Sequence, residues 1–142
     1  MDSTGSLQQD IEGGTPLLEG YVLLVAEDPE FLNRYREILA GLGFTPLSVT
    51  SYEAAMGYLR MAIFDFVVLD EEGSSFEGRS FLERARRIYP HTFVLVVSRD
   101  RDLALSREVR RLGAAEYLQD PVAAPDLVRA IVPHLHPPNA PL

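Results

Sequence analysis

Short, continuously apolar runs alternate with amphipathic stretches over residues 21–135, and each kind of segment predicts one kind of element. Residues 21–26 (YVLLVA) are apolar throughout, the pattern of a strand covered on both faces. Asp28 and Pro29 then supply an N-cap and a first helical residue, and Phe31, Leu32, Tyr35, Ile38, Leu39 and Leu42 fall on one helical face. Gly41 and Gly43 mark the expected stop. Residues 44–49 (FTPLSV) predict a weaker strand, and Pro46 favours an edge position. Thr50 and Glu53 have capping-box spacing ahead of a second helix ending near Ala62.

Residues 64–69 (FDFVVL) predict the third strand, ending at Asp70, with a loop over 71–77. A helix follows from Gly78 to about Tyr89, with Phe81, Leu82, Ala85 and Ile88 facing inward. Residues 92–98 (TFVLVVS) match the first strand in apolarity, and the fourth helix, from about Asp100 to Leu112, closes at Gly113. Residues 115–119 (AEYLQ) are the last strand. Leu127, Val128, Ile131, Val132 and Leu135 line a final helix that Pro133 should distort or end. Strict strand–helix alternation predicts an α/β doubly wound, five-stranded parallel sheet in the flavodoxin-like order 2-1-3-4-5, with helices on both faces. In such sheets chemistry sits at the carboxyl ends of the strands.

The first twenty residues, rich in Gly, Ser, Thr and acids and without sustained periodicity, read as a flexible leader, and 137–142 as a flexible tail around one domain at 21–136. Composition narrows the chemistry. The chain has no cysteine and all thirteen of its basic residues are arginine, so thiolate chemistry, Schiff-base lysines and P-loop lysines are excluded. A net charge of -8 opposes nucleic-acid binding. With no apolar run of membrane-spanning length and no secretory leader pattern, neither membrane insertion nor export is expected, and a cytoplasmic location is.

Acids cluster where the predicted strands end: Glu27 and Asp28 after the first, Asp70 after the third, Asp120 after the fifth. Parallel strands bring these together, and like charges at close range raise one another's pKa or demand a cation. Taken alone, Asp28 reads as a helix cap and Asp120 as a solvated turn residue. Asp70 reads as functional, because it follows a central strand at the edge where chemistry is expected.

In order, spacing and strand pattern these motifs resemble the response-regulator receiver family over nearly all of 21–135. The resemblance implies that Asp70 in FDFVVLD is the phosphoacceptor, with Gly78 eight residues on, and that Ser98 in VLVVS and Tyr117 in GAAEYLQDP are switch residues. The family's two magnesium-holding acids fall on Ala26 and Glu27, and its lysine falls on Asp120, before Pro121. Glu27, Asp70 and the backbone carbonyl of Glu72 are the remaining magnesium ligands, so any magnesium binding should be weak. Asp120 would set a negative charge beside an anionic phosphoaspartate, where the family lysine neutralises a phosphoryl oxygen. Arg99, next to Ser98, is a candidate substitute cation.

A pseudo-receiver therefore leads: a two-component module acting through protein–protein interaction with little or no phosphorylation, and with no catalysis beyond self-phosphorylation or dephosphorylation at Asp70. One alternative is a working phosphorelay receiver loaded at Asp70 by a histidine kinase or phosphotransfer protein. Another is an aspartate-nucleophile phosphohydrolase, with Glu72 two residues on as acid/base. Without a Gly-rich loop after the first strand, nucleotide binding is weaker still. Partners implied by the resemblance are a histidine kinase, a phosphotransfer protein or a downstream effector, docking on the fourth helix, fifth strand and fifth helix. Arg107, Arg110 and Arg111 lie on that fourth helix, where such a run otherwise reads as a solvated face. His91, His134 and His136 lack the partners of a metal or catalytic site.

Overall fold

The computed structural model describes residues 18–71, 78–100 and 102–135. Its elements alternate as β1 (Gly20–Val25), α1 (Pro29–Leu42), β2 (Phe44–Val49), α2 (Tyr52–Met61), β3 (Phe66–Glu71), α3 (Gly78–Ile88), β4 (Phe93–Ser98), α4 (Leu103–Leu112), β5 (Glu116–Gln119) and α5 (Ala124–Ile131). The five strands are all parallel, in the order β2-β1-β3-β4-β5. The expected sheet is therefore the observed one, with β2 and its Pro46 at one edge.

Each strand sends alternate side chains to opposite faces. On one face Leu23, Val25, Val67, Leu69, Val94 and Val96 pack with α2, α3 and α4 through Met56, Leu59, Phe81, Leu82 and Val109. On the other, Val22, Leu24, Val68, Leu95 and Val97 pack with α1 and α5 through Phe31, Tyr35, Leu39, Leu127 and Ile131. There Phe66 stacks on Phe93 with ring centroids 5.0 Å apart and meets Phe44 edge-on at 5.1 Å. Burial on both faces explains why the central strands carry no polar alternation. Parallel pairing puts the carboxyl ends of β1, β3, β4 and β5 at one rim of the sheet.

Local chemistry sets the helix ends. Asp28 caps α1 by accepting from the Glu30 amide at 3.0 Å, and Gly43 closes it at φ 113°. Gly41 lies inside that helix and does not end it. The α2 cap is Ser51, which accepts from the Ala54 amide at 3.0 Å, one residue beyond the expected Thr50. The α4 cap is Asp102, so this helix begins later than expected; Gly113 ends it as anticipated, at φ 122°. Pro133 sits in a short 3-10 turn, Val132–His134, where α5 stops. Ile88, the last residue of α3, and Val132, the first of the 3-10 turn after α5, were expected inside and are exposed. Strand β1 starts at Gly20, and Leu18 packs against the α1/α5 side, within the segment expected to be a leader; the rest of that segment and the expected tail at 137–142 lie outside the described residues.

The largest difference is at β3. The strand starts at Phe66 and runs through Asp70 to Glu71, which was expected in the loop. Glu71 pairs in register with Ser98, and Asp70 with Val97. No helix among the described residues is long and apolar enough to cross a membrane.

Candidate functional site

Because β3 continues through Glu71, two consecutive carboxylates end up buried at the rim and on opposite faces. Asp70 shares its strand parity with Phe66 and Val68, on the α1/α5 side. Glu71 shares it with Val67 and Leu69, on the α3/α4 side. Each acid has its own surroundings.

Around Asp70 two of the acids expected from sequence, Asp28 and Asp120, share Arg99 as an electrostatic partner. Arg99, from the β4–α4 connection, forms an ion pair with Asp28 and also interacts electrostatically with Asp70 and Asp120. Its pKa is raised, first by the hydrogen bond to Asp28. Asp120 follows β5 and its amide donates to the Ser98 carbonyl at 2.7 Å, which continues the β4–β5 ladder and fixes the residue at the rim. Its carboxylate accepts from both Arg34, at 3.2 and 3.3 Å, and the Tyr35 hydroxyl. The Asp120 side chain is only 10% exposed, so the solvated turn residue expected from sequence is instead a partnered, largely buried one. Tyr35 is fully buried, accepts from the Val122 amide at 3.1 Å, and has its pKa pushed up to about 12, first by burial and then by the hydrogen bond to Asp120. Glu27 is exposed, and Ala26 is buried beside it.

On the other face the Ser98 hydroxyl donates to Glu71 Oε1 at 2.6 Å and lies 3.1 Å from both the carbonyl and the amide of Asp100. The Tyr117 hydroxyl donates to the same Asp100 carbonyl at 3.2 Å. Ser98 and Tyr117 are thus brought together through the Asp100 carbonyl, and Glu71, the partner of Ser98, is a residue the sequence reading placed in a loop. Burial raises the pKa of Glu71 above its ordinary value; the Ser98 hydrogen bond works the other way. Its Oε2 is buried with no hydrogen-bond partner, which leaves Ser98 as the donor that offsets desolvation of this carboxylate. Glu71 also borders an open cleft of about 290 Å³ with Arg79, Asp100, Asp102, Leu105 and Glu108. Across that cleft Arg79 grips Glu108 through two bonds of 2.8 and 2.9 Å. Strand parity was the signal for Glu71: FVVLDE is one six-residue strand once Phe66 is taken as its start.

A magnesium site needs several oxygens in near-octahedral array. The described residues do not fit it. Of the expected ligand positions, Ala26 offers a methyl group, Glu27 is exposed and Asp70 is buried, while the neighbouring carboxylates are committed, Asp28 to the Glu30 amide and Arg99, and Asp120 to Arg34 and Tyr35. Among the described residues no group of three His, Cys, Asp or Glu side chains is arranged to hold a metal. Glu72, the third expected ligand, lies outside the described residues.

Comparison with known proteins agrees with this architecture. The family model described as the response regulator receiver domain matches residues 22–132. The chain is 31% identical over 113 residues to the response regulator protein FleR of Pseudomonas aeruginosa, covering 80% of this chain and 24% of that one, so it spans about a quarter of that relative's length. A solved receiver domain from Clostridium thermocellum superposes with a TM-score of 0.70 at 25% identity, covering 80% of this chain and 92% of the other. A CheY-like receiver domain from Methanospirillum hungatei gives 0.72 at 22% identity over 82% and 93% of the two chains, a likeness of fold. By fold, by strand-end chemistry and by family match, this chain belongs to the response regulator receiver family of two-component signal transduction.

Proposed function

We propose that this domain is a pseudo-receiver, passing information through protein–protein contacts with little or no phosphorylation of Asp70. The observation that carries the reading is Asp120: a carboxylate, fixed by Arg34 and Tyr35, stands at the end of β5 where the family places a lysine. Phosphorylation adds negative charge to Asp70, and a second carboxylate in a partly desolvated rim opposes that gain. Two further features support it. Ala26 withholds a magnesium ligand, so magnesium binding is weak, and the Ser98 hydroxyl is engaged by Glu71. The α4, β5 and α5 elements would dock a histidine kinase, phosphotransfer protein or downstream effector in the cytoplasm. The domain, expected at 21–136, takes in 18–20 as well, since Leu18 packs on its core and β1 starts at Gly20.

One observation favours the second reading, a working phosphorelay receiver: Arg99 already interacts with Asp70 and Asp120 and supplies positive charge to the rim. Beryllofluoride, a tetrahedral phosphoryl analogue, separates the two. Titrated with magnesium and followed by amide NMR, the unmodified protein should show no saturable shifts near Asp70. An Ala26→Asp, Asp120→Lys variant, with a ligand and an ammonium restored, should show them. Saturation of the unmodified protein at the same concentrations would overturn the pseudo-receiver reading.

A further inference from the structure

We infer that Arg99 is the resident cation of this receiver's acidic rim, occupying electrostatically the place that a divalent ion would otherwise take. The inference deepens the pseudo-receiver reading and rests on it in one respect, that the rim is not required to hold magnesium. Four observations lead to it. Strand ends deliver Asp70, Asp28 and Asp120 to one rim, and three carboxylates so placed demand a counter-charge. Arg99 follows directly on β4, between β3 and β5 in the sheet, so the chain delivers its side chain to the middle of that rim. Its guanidinium is bonded to Asp28 and interacts with Asp70 and Asp120, and so touches the electrostatics of all three acids. Two of the three rim carboxylates are already committed, Asp28 to Arg99 and Asp120 to Arg34 and Tyr35, and Glu27, aligned with a family magnesium ligand, is exposed.

Arginine suits this role. Its charge persists at all accessible pH values and its planar fork addresses two carboxylate directions at once, whereas an ammonium acts as a single point. The Arg99 side chain is 56% exposed and that of Asp28 27%, so the pair contributes little to folding stability. Its effect is local: it lowers the negative potential that attracts a divalent cation and leaves Asp28 without a free carboxylate edge. Arg34 performs the matching task for Asp120 from the α1 side. The rim is therefore held by protein cations.

Manganese, a paramagnetic stand-in for magnesium, tests this through line broadening of amide NMR signals on the full chain. Removing the guanidinium in Arg99→Ala should tighten manganese binding by about tenfold or more, with broadening centred on Asp28 and Asp70. Arg99→Lys, which retains the charge but not the fork, should gain clearly less manganese affinity than Arg99→Ala. Equal affinity in the unmodified protein and Arg99→Ala would overturn the inference, and so would a gain in Arg99→Lys as large as in Arg99→Ala. Because Arg99 is more than half exposed, Arg99→Ala should keep its fold, and unchanged amide dispersion will show that it does. Failure here is separable from failure of the pseudo-receiver reading, which turns on phosphoryl-analogue binding at Asp70 and not on metal affinity.

Discussion

At the scale of single residues, Tyr35 shows how a helix face and a rim are tied together. It is counted in sequence as one apolar position among six on α1, and its ring is indeed fully buried. Its hydroxyl, however, donates to Asp120 and accepts from the Val122 amide, contacts separated by 85 and 87 positions in the chain. Tyr35→Phe keeps the ring and removes both bonds, leaving a buried amide and a carboxylate short of partners, so unfolding by urea at neutral pH should show a loss of about 1–3 kcal/mol. The alkaline limb has a definite sign. The folded pKa of about 12 exceeds the ordinary 10.0, so the stability from this hydroxyl is fully present below pH 10 and is lost as pH rises through about 12. Tyr35→Phe should lack that component of the alkaline loss, and the stability gap between the two proteins should narrow across this window; a constant gap would contradict the account. Asp70 and the Asp28 cap were legible because each sits next to a strong local pattern. The partners of Asp120 were not, since no local pattern announces a contact across the sheet rim.

Among the elements, strand and helix identity followed directly from hydrophobic period, and the errors lie at ends. FDFVVL looks like a strand from Phe64, yet the chain enters the sheet only at Phe66, so the strand ends two residues later and turns Glu71 into a buried group. The cap moved from Thr50, which has Glu53 at capping-box spacing, to Ser51, because the helix starts at Tyr52 and it is the Ser51 hydroxyl that meets the Ala54 amide. Glycine at the end of α4 is the firmer signal. At Gly113 φ is 122°, and a Cβ there would lie 2.7 Å from Cγ of Arg86. Gly113→Ala therefore combines backbone strain with a close contact and should destabilise by about 1–3 kcal/mol in thermal or urea unfolding. Gly41→Ala, inside α1 with no atom within 4 Å of the added Cβ, should be stabilising by up to about 1 kcal/mol. The reverse order of the two variants would show that these helix ends have been misassigned.

For the molecule as a whole, the sheet order could be read from five apolar runs joined by helices, since short right-handed crossovers leave few arrangements. The acidic rim could be read as well, from acids that follow strands. Its neutralisation could not: Arg34 and Arg99 lie far apart in sequence, and only the folded sheet brings Arg34 to Asp120 and Arg99 to Asp28. The resulting picture is a receiver with a buried Asp70 and two rim carboxylates, Asp28 and Asp120, paired by its own arginines. Intact mass after incubation with acetyl phosphate and magnesium tests this most directly, comparing the unmodified protein with Ala26→Asp, Asp120→Lys at one donor concentration. The account predicts an unshifted mass for the unmodified protein and a partial gain of one phosphoryl group, lost again on Asp70→Asn, for the variant. Full and lasting phosphorylation of Asp70 in the unmodified protein would contradict it.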